Sequence, residues 1–218
     1  MRPIKHLTPR YVKNRLGVAL YERTHRDAPW LTRQMVGLLS CWLRPDDSGL
    51  ELGSGRSTIW FAERVRHLVS VEHDPVWYQQ VQARLAVHKD VVDYHLCPDA
   101  AAYRERVDSL PSDSIDFVLV DGIERDYCAV MSMPKIVPGG IIIVDNCNWY
   151  LPHASTSPGS REPGSGPASE TWGKFLEATR GWRYIWTSDG VTDTAFWVKP
   201  AASTGSGQAA EVPLRPLQ

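Results

Sequence analysis

The stretch Leu50-Glu51-Leu52-Gly53-Ser54-Gly55-Arg56-Ser57-Thr58 constrains this chain more than any other. A short apolar strand runs into a glycine turn, and the turn opens a helix through Ser57 and Thr58 that continues over Ile59, Trp60, Phe61, Ala62 and Val65. Glycine at 53 and 55 lets the backbone bend sharply and lets a ligand approach with no Cβ in the way. The helix start offers free N–H groups and a partial positive charge. Strand, glycine turn and helix in that order predict a nucleotide-type pocket at the end of a β-strand.

Two departures from the dinucleotide fingerprint narrow the ligand. The third glycine of G-x-G-x-x-G is absent, with Thr58 in its place; its usual role is close packing of helix on strand beneath a pyrophosphate. Glu51 would also face a pyrophosphate with like charge. A ligand with an amino group or sulfonium and no phosphate suits that carboxylate better, and S-adenosylmethionine (SAM) is such a ligand. Nineteen residues after Gly53, the apolar run Leu68-Val69-Ser70-Val71 ends in Glu72. That is near the offset of roughly 20 residues at which an acid holds ribose hydroxyls.

Four motifs then stand in order on successive expected strands: Glu51-Leu52-Gly53-Ser54-Gly55, Val71-Glu72-His73-Asp74, Leu119-Val120-Asp121-Gly122 and Val144-Asp145-Asn146. Together they resemble the class I SAM-dependent methyltransferases, and among these the bacterial small-molecule, catechol-type O-methyltransferases with a G-S-G-x-S-T turn. The likeness covers residues 48–199. It implies a Rossmann-like doubly wound α/β fold, a mostly parallel seven-stranded sheet closed by an antiparallel C-terminal hairpin. The cofactor would be held by Glu51, Gly53, Ser54, Gly55, Ser57, Thr58, Glu72, His73 and Asp121.

The apolar pattern is consistent with that fold. Strands are expected over Leu50–Leu52, Leu68–Val71, Val91–Leu96, Ile115–Val120 and Ile141–Val144, with a hairpin over Trp182–Thr187 and Thr194–Val198 around Ser188-Asp189-Gly190. Asp74-Pro75 reads as the N-cap and first residue of a helix running to about His88. Further helices are expected over Asp126–Met133 and Thr171–Thr179, and Pro138-Gly139-Gly140 as a turn. In open α/β sheets ligands sit at the carboxyl ends of strands, which places Asp99 to meet the adenine amino group.

Residues 1–47 are expected to form an N-terminal helical cap, with helices near Pro9–Tyr21 and Leu31–Leu43 separated by Ala28-Pro29. Residues 48–199 form the core, and residues 200–218 a low-complexity, disordered tail. The Ser/Gly/Pro-rich stretch Pro152–Ser169 reads as a mobile loop beside the cleft and a lid candidate.

The chemistry is expected where strands four and five end. Asp121, Asp145 and Asn146 are hard oxygen ligands suited to Mg²⁺, and the set is similar to the metal triad of catechol- and caffeoyl-CoA-type O-methyltransferases. A metal-bound hydroxyl loses its proton readily and is held in line with the methyl group. Those families place a lysine base three residues after the first metal aspartate, whereas this chain has Glu124 followed by Arg125. Glu124 and His153 are the alternative bases.

The net charge of −1 and the lack of a basic stripe argue against nucleic acid as substrate. No signal peptide or long apolar run is visible, so the expectation is a cytoplasmic protein without a membrane partner. Cys41, Cys97, Cys128 and Cys147 are too scattered for a zinc site or disulfide framework. Nine tryptophans hint at an aromatic substrate wall. The expected partner is a small-molecule acceptor, with a homodimer left open. The function expected is Mg²⁺-assisted methylation of a hydroxyl. The alternatives are a metal-independent transferase and a SAM-binding scaffold without activity.

Overall fold

The computed structural model describes residues 8–201, so residues 202–218 of the expected tail, and residues 1–7 of the expected cap, lie outside the described residues. Seven apolar runs become seven strands of one sheet: β1 (Ser48–Leu52), β2 (His67–Glu72), β3 (Val92–Leu96), β4 (Ile115–Val120), β5 (Ile136–Asp145), β6 (Arg183–Ser188) and β7 (Asp193–Val198). Their order across the sheet is β3-β2-β1-β4-β5-β7-β6. The first five are parallel, β7 runs antiparallel to β5, and β6 antiparallel to β7. This is the expected Rossmann-like doubly wound sheet with a closing hairpin.

Side chains alternate between the two faces, and both faces are buried. Leu50, Leu52, Val118, Val120, Ile142 and Val144 share one core layer; Phe117, Leu119, Ile141, Ile143 and Phe196 belong to the other. The first layer is covered by α5 (Ala100–Asp108), α6 (Arg125–Ser132) and α7 (Glu170–Ala178), through Tyr103, Cys128, Ala129, Trp172 and Phe175. The second is covered by α2 (Arg33–Trp42), α3 (Arg56–Ala62) and α4 (Pro75–Arg84), through Met35, Leu39, Phe61 and Val81. Each such side chain contributes roughly 1.5–3 kcal/mol on burial. Phe117 and Phe61 meet at 4.7 Å between ring centroids, and Gly49 makes the room, because a Cβ there would lie 2.1 Å from the Phe117 ring.

Local chemistry sets the boundaries. Asp74 caps α4 by accepting from the N–H groups of Val76 and Trp77, with Pro75 at the first helical position. Thr32 caps α2 and ties it to the hairpin through Thr187 and Thr194. The helix α1 (Pro9–Thr24) starts at Thr8 and buries no residue.

Two expectations need correcting. Pro138-Gly139-Gly140 does not stand apart as a turn before β5: it lies inside β5, where Ile115 pairs with Ile136 and Phe117 with Ile141, so the extra residues loop out as an irregularity. Helix α5 has no counterpart in the sequence reading. Its buried residues are Tyr103 and Val107, too few to show a period.

Candidate active site

The glycine turn follows β1 and does two separate jobs. Gly53 has φ +101°, and a Cβ there would lie 2.6 Å from the amide nitrogen of Gly122. Its own N–H donates to the Val71 carbonyl at 2.9 Å. Gly122 is equally tight, since a Cβ would fall 2.1 Å from the Tyr103 hydroxyl oxygen. The ends of β1 and β4 therefore touch backbone to backbone. Gly55 differs: its nearest neighbour would be a Trp77 ring atom at 3.8 Å. The protein leaves an open cradle there.

Glu51 is fully buried at the end of β1. One carboxylate oxygen accepts from the hydroxyls of Thr58 and Ser70, each at 2.6 Å; the other has no partner among the described residues. Burial pushes this carboxyl up to about 7, against the hydroxyls of Ser57, Ser70 and Thr58 that favour its charged form. A buried acceptor without a donor costs about 1–3 kcal/mol, and a ligand ammonium would relieve it. The orphaned Glu51 oxygen and the open cradle at Gly55 both fit SAM.

Glu72 ends β2 and is buried. One of its oxygens accepts from the Ser54 N–H and hydroxyl, the other from the N–H groups of His73 and Asp74. The His73 ring nitrogen Nδ1 lies 3.0 Å from the same carboxylate. Ser54 in turn meets the Tyr94 hydroxyl at 2.7 Å. Glu51, Gly53, Ser54, Gly55, Ser57, Thr58, Glu72 and His73 thus come together around the ends of β1 and β2. Asp99 lies at the start of α5, where one oxygen accepts from the Ala102 N–H as its cap. Asp121 ends β4 next to the Gly53–Gly122 contact.

The expected metal triad does not present its oxygens to an ion. Arg125 occupies the space between its members. Its Nε donates to the Gly122 carbonyl, Nη1 to the Asp145 carbonyl and to Asn146 Oδ1, and Nη2 to the Asp121 carbonyl. The Asp121 carboxylate completes the set at 2.9 Å. All five guanidinium N–H groups are used. The Asp145 carboxyl turns into the core to accept from Thr194, and burial with the nearby Asp121 charge pushes it up to about 8. Asn146, at φ 50°, spends its amide N–H on Thr192. Asp121, Asp145 and Asn146 therefore do not fit Mg²⁺, and no other group of three His, Cys, Asp or Glu suited to a metal occurs among the described residues.

The two alternative bases part company. Glu124 pairs with Arg104 of α5. His153 lies on the wall of a cleft of about 710 Å³ between α1, the 28–34 segment and the β6–β7 hairpin. Its ring stacks on Trp186, 4.1 Å between centroids and 9° from parallel. The buried Nδ1 has no hydrogen-bond partner among the described residues, and burial pushes the ring pKa below its ordinary value. A neutral imidazole can accept a proton.

Trp30 links this cleft to the glycine turn. It lines the cleft, stacks with Trp77 at 6.3 Å and lies under the Arg56 guanidinium at 4.9 Å. Trp77 donates from Nε1 to the Ser54 carbonyl. Trp30 and Trp186 line this cleft, whereas Trp60, Trp172 and Trp197 are core.

Several site residues were missed at the sequence level, Arg125 and Asp193 above all. Asp193 is fully buried and accepts from the Ser157 hydroxyl and the Trp186 indole N–H. That contact helps to hold the 152–169 stretch, which has no helix or strand but is tied down elsewhere too. Arg161 N–H donates to Asn148, His153 N–H to Arg161 and Ala168 N–H to Tyr150. It is packed against the hairpin at Ser157, and not a detached flap.

Residues 50–147, from β1 through the end of β5, match a family model described as a methyltransferase domain. No curated protein matches the chain. Among solved structures, an O-methyltransferase from Bacillus cereus in complex with SAH is similar with a TM-score of 0.56 and 16% identity, over 86% of this chain and 90% of that one. A precorrin 8W decarboxylase from Methanobacterium thermoautotrophicum gives 0.51 and 21%, over 81% and 95%. A tRNA methyltransferase from Aquifex aeolicus gives 0.50 and 13%, over 77% and 68%. At these identities the likenesses show the fold alone. The sheet order is that of the class I SAM-dependent methyltransferase fold, and residues 50–147 of the chain match a methyltransferase domain.

Proposed function

We propose that this protein methylates a hydroxyl of a small molecule without a metal ion, using His153 as the general base. The observation that carries this reading is the place of His153 on the cleft wall, together with an arginine where the related metal site would need an ion. Glu51, the glycine turn and Glu72 would hold SAM, which when bound supplies a sulfonium methyl group and departs as S-adenosylhomocysteine with the S–C electron pair. The acceptor hydroxyl would lie in the cleft, where Trp186 keeps the His153 ring flat against the wall. His153 takes the hydroxyl proton on its ring, which raises the negative charge on the oxygen that forms the new C–O bond. Trp30, which lines the cleft and stacks on Trp77 beside the glycine turn, would lie over the reacting atoms and help to exclude water.

The test is release of S-adenosylhomocysteine from a panel of hydroxylated aromatic acceptors, with and without EDTA. Turnover should survive chelation. The variant His153→Ala should lose about 10²–10⁴-fold in kcat while binding SAM as the parent does. Loss of activity on chelation would restore a metal mechanism. Full activity of the variant would remove His153 from the chemistry.

A further inference from the structure

Asp193, the first residue of β7, is a fully buried carboxylate, and it forms no ion pair among the described residues. Its oxygens meet neutral donors, Oδ1 the Ser157 hydroxyl at 2.6 Å and Oδ2 the Trp186 indole N–H at 2.8 Å. Its main chain is held as well: the N–H donates to Asn148 Oδ1, and the carbonyl accepts from the Cys147 thiol. Burying a charge without a cation is costly, and neutral donors offset that only in part. The use of this carboxylate therefore lies in what it holds.

Both of its side-chain partners lead to His153. Trp186 presents its flat face to the imidazole, 4.1 Å between centroids and 9° from parallel. Ser157 stands four residues after His153 and fastens the same loop to the hairpin, with the Ser188 hydroxyl 3.1 Å from its own. One carboxylate thus fixes the surface on which the imidazole lies and the loop that carries it.

We infer that Asp193 is a positioning residue for His153, fixing its ring through Trp186 and Ser157, and that its negative charge favours the imidazolium formed when His153 takes a proton. The inference rests on the proposed reaction, in which His153 is the base. Burial lowers the pKa of the ring and the Asp193 charge raises it, so the two oppose each other at the group that must gain the proton. The other charged and titratable groups on the cleft are Arg10, Lys13, Tyr21 and Glu22 of α1, Arg33 of α2 and Asp189 of the hairpin turn. Each is at least partly exposed, and solvent screens it. Arg161, whose carbonyl accepts the His153 N–H, turns its guanidinium to the carbonyls of Ser165 and Gly166.

Charge and positioning can be read apart. In Asp193→Asn the amide oxygen still accepts from Trp186 and the amide N–H can donate to Ser157, so the shape stays and the charge goes. Nuclear magnetic resonance of the His153 ring protons, assigned by their loss in His153→Ala, should show the titration midpoint falling by about one pH unit. The acid limb of kcat/KM should move with it, and kcat should fall up to about tenfold, the equivalent of that shift. Turnover is read as S-adenosylhomocysteine release from whichever hydroxylated aromatic acceptor the parent uses. Ser157→Ala keeps the charge and loosens the loop; kcat should fall by roughly 3- to 100-fold with no fall in the midpoint. An unmoved midpoint in Asp193→Asn would overturn the role of the charge, and unaltered kcat in Ser157→Ala that of the positioning. Should Asp193→Asn not fold, the carboxyl carbon signal of Asp193 in the parent decides. An ionised group that responds as His153 titrates upholds the inference, and a neutral or unresponsive one overturns it. The midpoints need no turnover, so failure of the proposed reaction shows separately, as full activity of His153→Ala.

Discussion

Gly53 and Gly55 are two residues apart and alike in sequence, yet their structural demands are opposite. At Gly53 the positive φ and the Gly122 backbone leave no place for a Cβ. Gly53→Ala should cost about 3 kcal/mol or more, a fall in Tm of roughly 6–12 °C for a chain of this size. Gly55 has an extended φ of 167° and free space, so Gly55→Ala should leave Tm unchanged or slightly raised. It should weaken SAM binding by at least about tenfold if the cradle is filled by the cofactor. Thermal scans with and without SAM separate the two, and unaltered SAM affinity in Gly55→Ala would move the cofactor off the turn.

At the scale of elements, Arg125 joins the carboxyl ends of β4 and β5 from the first residue of α6. A lysine offers one ammonium with three donors, so at least two of its five contacts would be lost. Hydrogen bonds to charged groups contribute about 1.5–3 kcal/mol each, and Arg125→Lys should therefore destabilise the protein by roughly 3–6 kcal/mol. Neither form should bind Mn²⁺, because the oxygens of Asp145 stay turned toward Thr194. A Mn²⁺ signal by electron paramagnetic resonance in the unsubstituted protein would show that Arg125 yields its place to an ion.

For the whole molecule, two buried carboxyls make stability depend on pH. Glu51 titrates near 7 and Asp145 near 8 in the folded state, well above the ordinary carboxylate range near 4. The folded protein holds these protons more tightly than the unfolded chain, so their stabilising effect is complete below about pH 4. It is lost as the pH rises through 7 and 8. Chemical denaturation should accordingly show stability falling by up to a few kcal/mol between about pH 5 and 8. Glu51→Gln or Asp145→Asn should flatten the profile. SAM should bind better as the pH rises over the same range, because its ammonium needs the charged form of Glu51. A profile rising with pH would mean that these carboxyls are ionised in the folded protein.

The order of elements was legible in the chain because period and punctuation are local. Strands β1 to β5 are short apolar runs ended by an acid or a turn. Gly53 and Glu72 keep the spacing of a nucleotide pocket, and Ser188-Asp189-Gly190 marks the hairpin that fixes the antiparallel edge. The residues expected to hold the cofactor followed from the same logic, and folding does gather them at the ends of β1 and β2. What each polar side chain meets was not local. Asp145 ends β5 as expected, but β7 brings Thr194 to it over a separation of 49 positions in the chain. Arg125 and Asn146 are joined over 21, and no spacing rule sets which atom a guanidinium will choose. His153 acquired its place from Trp186 on the far hairpin, and α1 its inward charges from the cleft below it. Sequence alone determined the sheet and the turn at its centre, through apolar alternation and backbone freedom. Tertiary structure alone decided which oxygens are free to act, because that depends on the donors that folding brings within 3 Å of them.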